Sequence, residues 1–455
     1  MNRTRCRRSM AFYDILDHHM VFENSTLQSG FLAQLAHRSL ARVEASARAV
    51  VFVSAVFLSV ANAAPLTLDA ALKRVIDTHP TLRAFPLRGA ALETEAQVAE
   101  LSPEKTLTFT IENALGSGPV RGLDIAESTL TLAGVLERGG KREARRAIAA
   151  ARLDDLGIAR TAAQFDVLAE TARRYLELVG WHSRLPLIEA DLAQRERMAE
   201  AARTRFRIGA APEASALRAE AEVAAAKAAV AAGRVAAEVA ARRLALMWGE
   251  EQTTALDVTP LPISLPELPE FSKFKNSLPA SPDLARFASE ARIQDARIRL
   301  ATAGRVANVD WQLGLRHFAD TDDLALVGGF SMPLGVSRRA ELEASITRAE
   351  RSALDLERQS FELQLQAALL DAWAQAGAAT ERVRAIDTVM LPRLHKAVEN
   401  AERAYAGGAL SYAEWSEIQG ALSGAQLAAL EARLEWRRAM IEIQRLTAEP
   451  VVVSQ

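Results

Sequence analysis

Cysteine is almost missing from this sequence. The single one in 455 residues is Cys6, so disulfides, thiolate metal sites and cysteine nucleophiles are excluded from the body of the chain. No apolar run precedes Cys6, which removes a lipid anchor as well. A surplus of either charge is missing too. There are 55 basic and 57 acidic residues, net −2, without the basic excess that a nucleic-acid binder shows. Aromatic residues make up only 5%. No GxSxG, HExxH or P-loop pattern occurs, and the glycine-rich stretch GSGPVRG (116–122) lies between two strand patterns and reads as a loop. The seven histidines are scattered. His18, His19 and His37 lie near the start, and His79, His182, His317 and His395 lack zinc-ligand spacing. His317 with Asp320, Asp322 and Asp323 is the best metal candidate and reads more simply as a polar loop. No metal site, no cofactor and no enzymatic activity are expected.

Long apolar runs are also absent. The longest, Ala49–Val60, follows Arg42 and Arg48 and precedes Ala61-Asn62-Ala63, a small-x-small cleavage pattern. It is shorter than the ~20 residues of a membrane-spanning helix, so it reads as a signal peptide with the mature start near Ala64. Residues 1–63 are an N-terminal extension plus signal.

What the chain does contain is alanine, leucine, glutamate and arginine, the mixture of long helices and coiled coils. It also repeats itself. THPTLRAF (78–85) answers ASPDLARF (280–287), and RFRIGAAPEASALRAE (205–220) answers AYAGGALSYAEWSEIQ (404–419), aligning Pro80 with Pro282 and Gly209 with Gly408. The offset, about 200 residues, marks a duplicated half rather than a short solenoid repeat. The expected division is a first repeat 64–250, a proline-rich linker 251–281, a second repeat 282–448 and a tail 449–455. The prolines of TPLPISLPELPEF (259–271) predict an extended connector.

Each half has one plan. A first helix covers Leu68–Leu101, or Pro282–Ala303. A strand pair follows (hairpins 106–136 and 308–335), then a helical stretch, Glu137–Phe206 or Arg338–Tyr405, that spans about 100 Å at the α-helical rise. Proline predicts a break within each stretch, at Gly180–Pro186 and at Pro392. After a glycine turn a last helix returns, Pro212–Trp248 or Ser411–Leu446, with Pro212 suited to a first turn and Ser411 to an N-cap. Alanine and leucine at heptad-like positions in 219–249 read as close helix packing.

The strand patterns TLTFTIEN (106–113), STLTLAGVL (128–136), VDWQLGLRHF (309–318) and LALVGGFSMPL (324–334) alternate apolar and polar residues. Alternation over about 10 residues suits a tilted strand crossing an outer membrane. A soluble hairpin covered by a helix would show the same alternation. Four strands cannot close a barrel, and open edges are not tolerated in lipid, so a membrane reading requires several subunits.

LTLDAALKRVIDTHPTL (66–82), GVLERGGKREARR (134–146), FSMPLGV (330–336) and the two glycine turns together resemble the TolC-like outer-membrane efflux proteins, from about Leu66 to Thr447. The GGKR element (139–142) resembles the CzcC-like heavy-metal branch. The resemblance implies a mainly α fold with a small β part. A long antiparallel α-helical barrel would carry four strands per subunit, completing a trimeric twelve-stranded outer-membrane barrel, with the helices in the periplasm. It implies a passive duct serving an inner-membrane resistance-nodulation-division pump through a periplasmic adaptor. It nominates Tyr405, Glu414 and Glu417 at the channel entrance, and Gly209, Ala210, Ala211, Gly408, Ala409 and Ser411 as adaptor or pump contacts. Two family lock positions are Ser215 and Leu410 here, so that lock is expected to be absent. Two other readings remain open at this point: a duct for drugs or other small organic compounds, and a soluble periplasmic coiled-coil adaptor or scaffold.

Overall fold

In the computed structural model, the described residues are 65–251, 256–259, 262 and 264–450. The signal peptide, Cys6, His18, His19, His37 and the last five residues lie outside them.

Thr67 caps the first helix, α1 (Leu68–Thr78), by accepting from the Ala70 amide at 3.2 Å. One helix over Leu68–Leu101 is not what forms. His79 is extended (ψ 125°), and α2 (Pro80–Glu100) starts anew after it. The ring of Pro80 disfavours helical backbone at the residue before it. The His79 ring then caps α2, its Nδ1 accepting from the Thr81 amide.

Four antiparallel strands follow the sequence pattern closely: β1 (Thr106–Glu112), β2 (Glu127–Leu136), β3 (Val309–Phe318) and β4 (Asp323–Ser331), in the order β1-β2-β3-β4. The hairpins of the two halves join through β2 and β3. Register places Phe109, Leu130, Leu315 and Leu326 in one row and Leu107, Leu132 and Leu313 in the next. All the apolar alternants therefore share one face. That face is bare: Phe109 is 63% exposed and Phe330 83%. On the other face Arg316 donates to Glu127 at 2.8 Å, Thr129 at 3.0 Å and Glu112 at 3.3 Å.

β2 leads through Gly139 and Gly140, both left-handed, into the 67-residue helix α3 (Lys141–Arg207). The return helix α4 (Glu213–Ala245) packs against it. The break expected at Gly180–Pro186 does not exist; α3 runs through Pro186. A proline inside a helix costs about 3 kcal/mol, but side chains on both sides of Pro186 are held by α4. Trp181, Leu185 and Ile188 close over Gly233, where even a β-carbon would meet the Ile188 Cδ1 at 2.9 Å.

In the linker, Pro266–Glu270 is irregular, and a short helix, α5 (Phe271–Ser277), begins where the expected extended connector ends. Phe274 and Leu278 form one apolar face and bury against Leu369 and Ile443. The second half repeats the order of elements: α6 (Pro282–Ala303), the β3–β4 hairpin, α7 (Val336–Ala385), α8 (Leu391–Ala406) and α9 (Tyr412–Thr447). Here the long helix is disturbed, by a π turn at Ile386–Met390 immediately before Pro392. The extra residue of a π turn accommodates the missing hydrogen bond. The largest apolar cluster, around Val75, Leu176, Val179, Leu244 and Ile441, lies where α1, α3, α4 and α9 meet. No helix among the described residues is long and apolar enough to cross a membrane.

Candidate functional site

The two glycine turns have the same construction. Gly209 (φ 73°) and Gly408 (φ 81°) sit in the left-handed region that glycine tolerates. The next amides reach back to the helix, Ala210 to the Arg205 carbonyl at 2.8 Å and Ala409 to the Ala404 carbonyl at 2.9 Å. Gly209, Ala210, Gly408, Ala409 and Ser411 are exposed, and Ala211 is half-buried. Together they offer small side chains and accessible backbone at one end of the long helices.

The two nominated glutamates differ. Ser411 and Glu414 form a capping box on α9. The Ser411 hydroxyl accepts from the Glu414 amide at 3.3 Å, and the Glu414 carboxylate accepts from the Ser411 amide at 2.9 Å. The Ser411 hydroxyl and amide hold the Glu414 carboxyl below the usual range. Glu417, one turn on, is exposed and has no partner among the described residues.

Tyr405 lies against a shallow cavity beside Arg205, Glu402 and Trp415. It is 4% exposed, stacked on Trp415 at 4.7 Å and edge-on to Tyr412 at 6.3 Å. Burial raises its pKa. Arg205 lies 4.9 Å over the Tyr405 ring and donates to the Tyr405 carbonyl, so the residues before the first glycine turn hold those before the second. Leu410 packs against this same cluster.

Behind the turns lies a polar junction that motif reading missed. Glu222 of α4 accepts from the Ser416 hydroxyl at 2.6 Å, the Tyr412 hydroxyl at 2.9 Å, Arg218 at 3.0 Å and Arg195 at 3.3 Å. Arg195 also pairs with Asp191 at 2.7 Å, and Asp191 accepts from Ser423. Burial pushes the Glu222 carboxyl up, but the hydrogen bonds from Ser416, Arg218 and Tyr412 and the Arg195 charge outweigh it, and the net shift is down. The available signal was a glutamate within an alanine stripe that otherwise reads as packing surface.

The other candidates separate. His317 meets Asp322 at 2.9 Å, but no group of three or more possible metal ligands forms among the described residues. His395 bonds its own helix at Leu391, and His182 is exposed. The GGKR element is a joint. Lys141 donates to the Val306 carbonyl at 2.7 Å and to Asn308 at 2.5 Å, and Gly139 leaves room for Val306. It stitches the start of α3 to the entry of β3.

Residues 71–250 match the model of a family described as outer membrane efflux protein. No curated protein matches the chain in sequence. Among solved structures, the outer-membrane channel OprN superposes with a TM-score of 0.70 at 18% identity, covering 84% of this chain and 90% of that one. The outer membrane protein VceC of Vibrio cholerae gives 0.68 at 17% identity, covering 85% and 97%. The open MtrE outer membrane channel of Neisseria gonorrhoeae gives 0.67 at 16%, covering 85% and 90%. The fold is that of an outer-membrane efflux channel. Channels of this family are passive ducts rather than enzymes, with strands in the outer membrane and a helical part in the periplasm.

Proposed function

We propose that this protein is the outer-membrane subunit of a tripartite efflux system and passes divalent heavy-metal cations outward as a homotrimer. The observation that carries the reading is the sheet. Its apolar face is exposed across all four strands, and β1 and β4 each keep one edge unpaired. Water would penalise the face and lipid would penalise the edges. A barrel completed by further copies answers both. The soluble-scaffold reading leaves the apolar face in water.

The adaptor and pump would engage the glycine turns, with Gly209, Ala210, Gly408, Ala409 and Ser411 presented at their surface. Three copies of Glu417 around a narrow mouth would attract cations and repel anions. The GGKR element speaks for the strand–helix joint rather than for the substrate, so the cation reading rests on Glu417. Deletion of the gene, followed by growth on cobalt, zinc, cadmium, copper and nickel and on a drug panel, tests it. Sensitisation to metals is expected. Sensitisation to drugs alone would replace the substrate and keep the duct.

A further inference from the structure

Arg437 of α9 is the only fully buried charged residue among those described, 3% exposed. No carboxylate among them pairs with it. Its guanidinium donates to two backbone carbonyls, Pro262 at 2.8 Å and Arg433 at 3.4 Å, and its Nε has no partner. Burial, and then the Arg433 charge, lower its pKa. A buried charge without a counter-charge is strongly unfavourable. The duplicated half does without one. At the same distance from its glycine turn, α4 has Glu238, which is exposed and paired with Arg242. The helical architecture therefore does not require an arginine here.

Arg437 lines a cavity of about 330 Å³. The cavity follows one face of α9 from Gln426 through Leu430 and Arg433 to Arg437, a run of about 16 Å at the helical rise. α3 and α8 lie antiparallel to α9 and are keyed to it by ion pairs. Arg184 meets Glu431 at 2.7 Å, and Asp387 meets Arg433 at 2.5 Å. These pairs set Leu187 of α3 and Leu391 of α8 beside Leu430, so the middle of the cavity is apolar. Asp387 belongs to the π turn before Pro392, and π turns recur at functional sites. Because Asp387 balances Arg433, the charge left over is that of Arg437. No described carboxylate lines the cavity. At its far end the Gln426 amide makes no hydrogen bond among the described residues.

We propose that this cavity binds a slender organic anion, a medium-chain carboxylate, with its head on the Arg437 guanidinium and its apolar body along Leu187, Leu391 and Leu430. The carboxylate supplies the missing counter-charge through charge-assisted hydrogen bonds. The leucines favour an anion with an apolar body over a bare one.

Octanoate is the probe, added to the full channel in amphipol, and backbone hydrogen exchange over 183–187 and 426–437 is the readout. Octanoate should slow exchange in both stretches. Octanamide, of the same length without the charge, should not. Arg437→Met keeps an unbranched stem and should weaken the octanoate response about tenfold or more. Should that variant not accumulate, Gln426→Phe fills the far end of the cavity, leaves Arg437 in place and should also suppress the response. Equal protection by octanamide, or an unchanged response in either variant, would overturn the site. So would the absence of any protection of the unaltered protein by octanoate. Inorganic phosphate acting as well as octanoate would reveal a bare-anion site and overturn the organic ligand.

Discussion

The Tyr412 hydroxyl donates a 2.9 Å hydrogen bond to the Glu222 carboxylate and so ties the return helix of the second half to that of the first. The same carboxylate takes Ser416, Arg218 and Arg195. Hydrogen bonds to a charged acceptor contribute about 1.5–3 kcal/mol each. Tyr412→Phe should therefore lower the local stability of the glycine turns by about 1–2 kcal/mol, and Glu222→Gln by more, since Arg195 and Arg218 both lose their charged partner. Hydrogen exchange over 404–419 is the measurement. Faster exchange there, with the strands unchanged, is the expected outcome.

Acid should loosen the same junction. The folded-state pKa of Glu222 is depressed, so its stabilisation is fully present above the ordinary carboxylate range. It is lost as pH falls through the depressed value. Exchange at 404–419 should be flat near neutrality and rise on strong acidification, and Glu222→Gln should abolish most of that rise. Glu414 shifts in the same direction, and Ser411→Ala separates the two contributions.

Ser411→Ala removes an N-cap and should cost about 1 kcal/mol at the start of α9. It also releases the Glu414 carboxylate from the backbone. Urea titration and exchange at Tyr412–Trp415 would register the first effect.

The two glycines before α3 should respond unequally. Alanine at Gly140 meets no neighbour within 4 Å and bears only the left-handed penalty, about 1–2 kcal/mol. Alanine at Gly139 would bear that penalty and place its β-carbon 2.7 Å from Val306 and 2.9 Å from the Ala303 carbonyl. Gly139→Ala should be the more damaging to heat resistance and to accumulation in the outer membrane, and equal effects would contradict the account of this joint.

Glu417→Gln should reduce cation preference in planar-bilayer recordings without altering thermal stability, because Glu417 is exposed and makes no hydrogen bond or ion pair among the described residues. Glu414→Gln should instead disturb the helix start.

Periodicity alone placed the strands within a residue or two at most ends. β3 and α6 fell where predicted, because alternation by two and the Ser281-Pro282 start are local properties. The capping box at Ser411 was half legible, from the serine alone. Proline was the least reliable guide. Pro80 starts a new helix, Pro186 is absorbed and Pro392 is met by a π turn. The ring forbids the same hydrogen bond each time, but what packs beside it decides whether the helix yields. Tyr405 shows the same division. Its position before Gly408 could be read from the chain, whereas its burial between Arg205 and Trp415 depends on two helices meeting. Glu222 stood out only as a glutamate within an alanine stripe, because its partners Arg195, Tyr412 and Ser416 lie on α3 and α9, distant in sequence. Local pattern determined which elements form and which faces are apolar. Only packing between distant elements decided which charges are paired, what buries Tyr405 and which apolar faces remain bare.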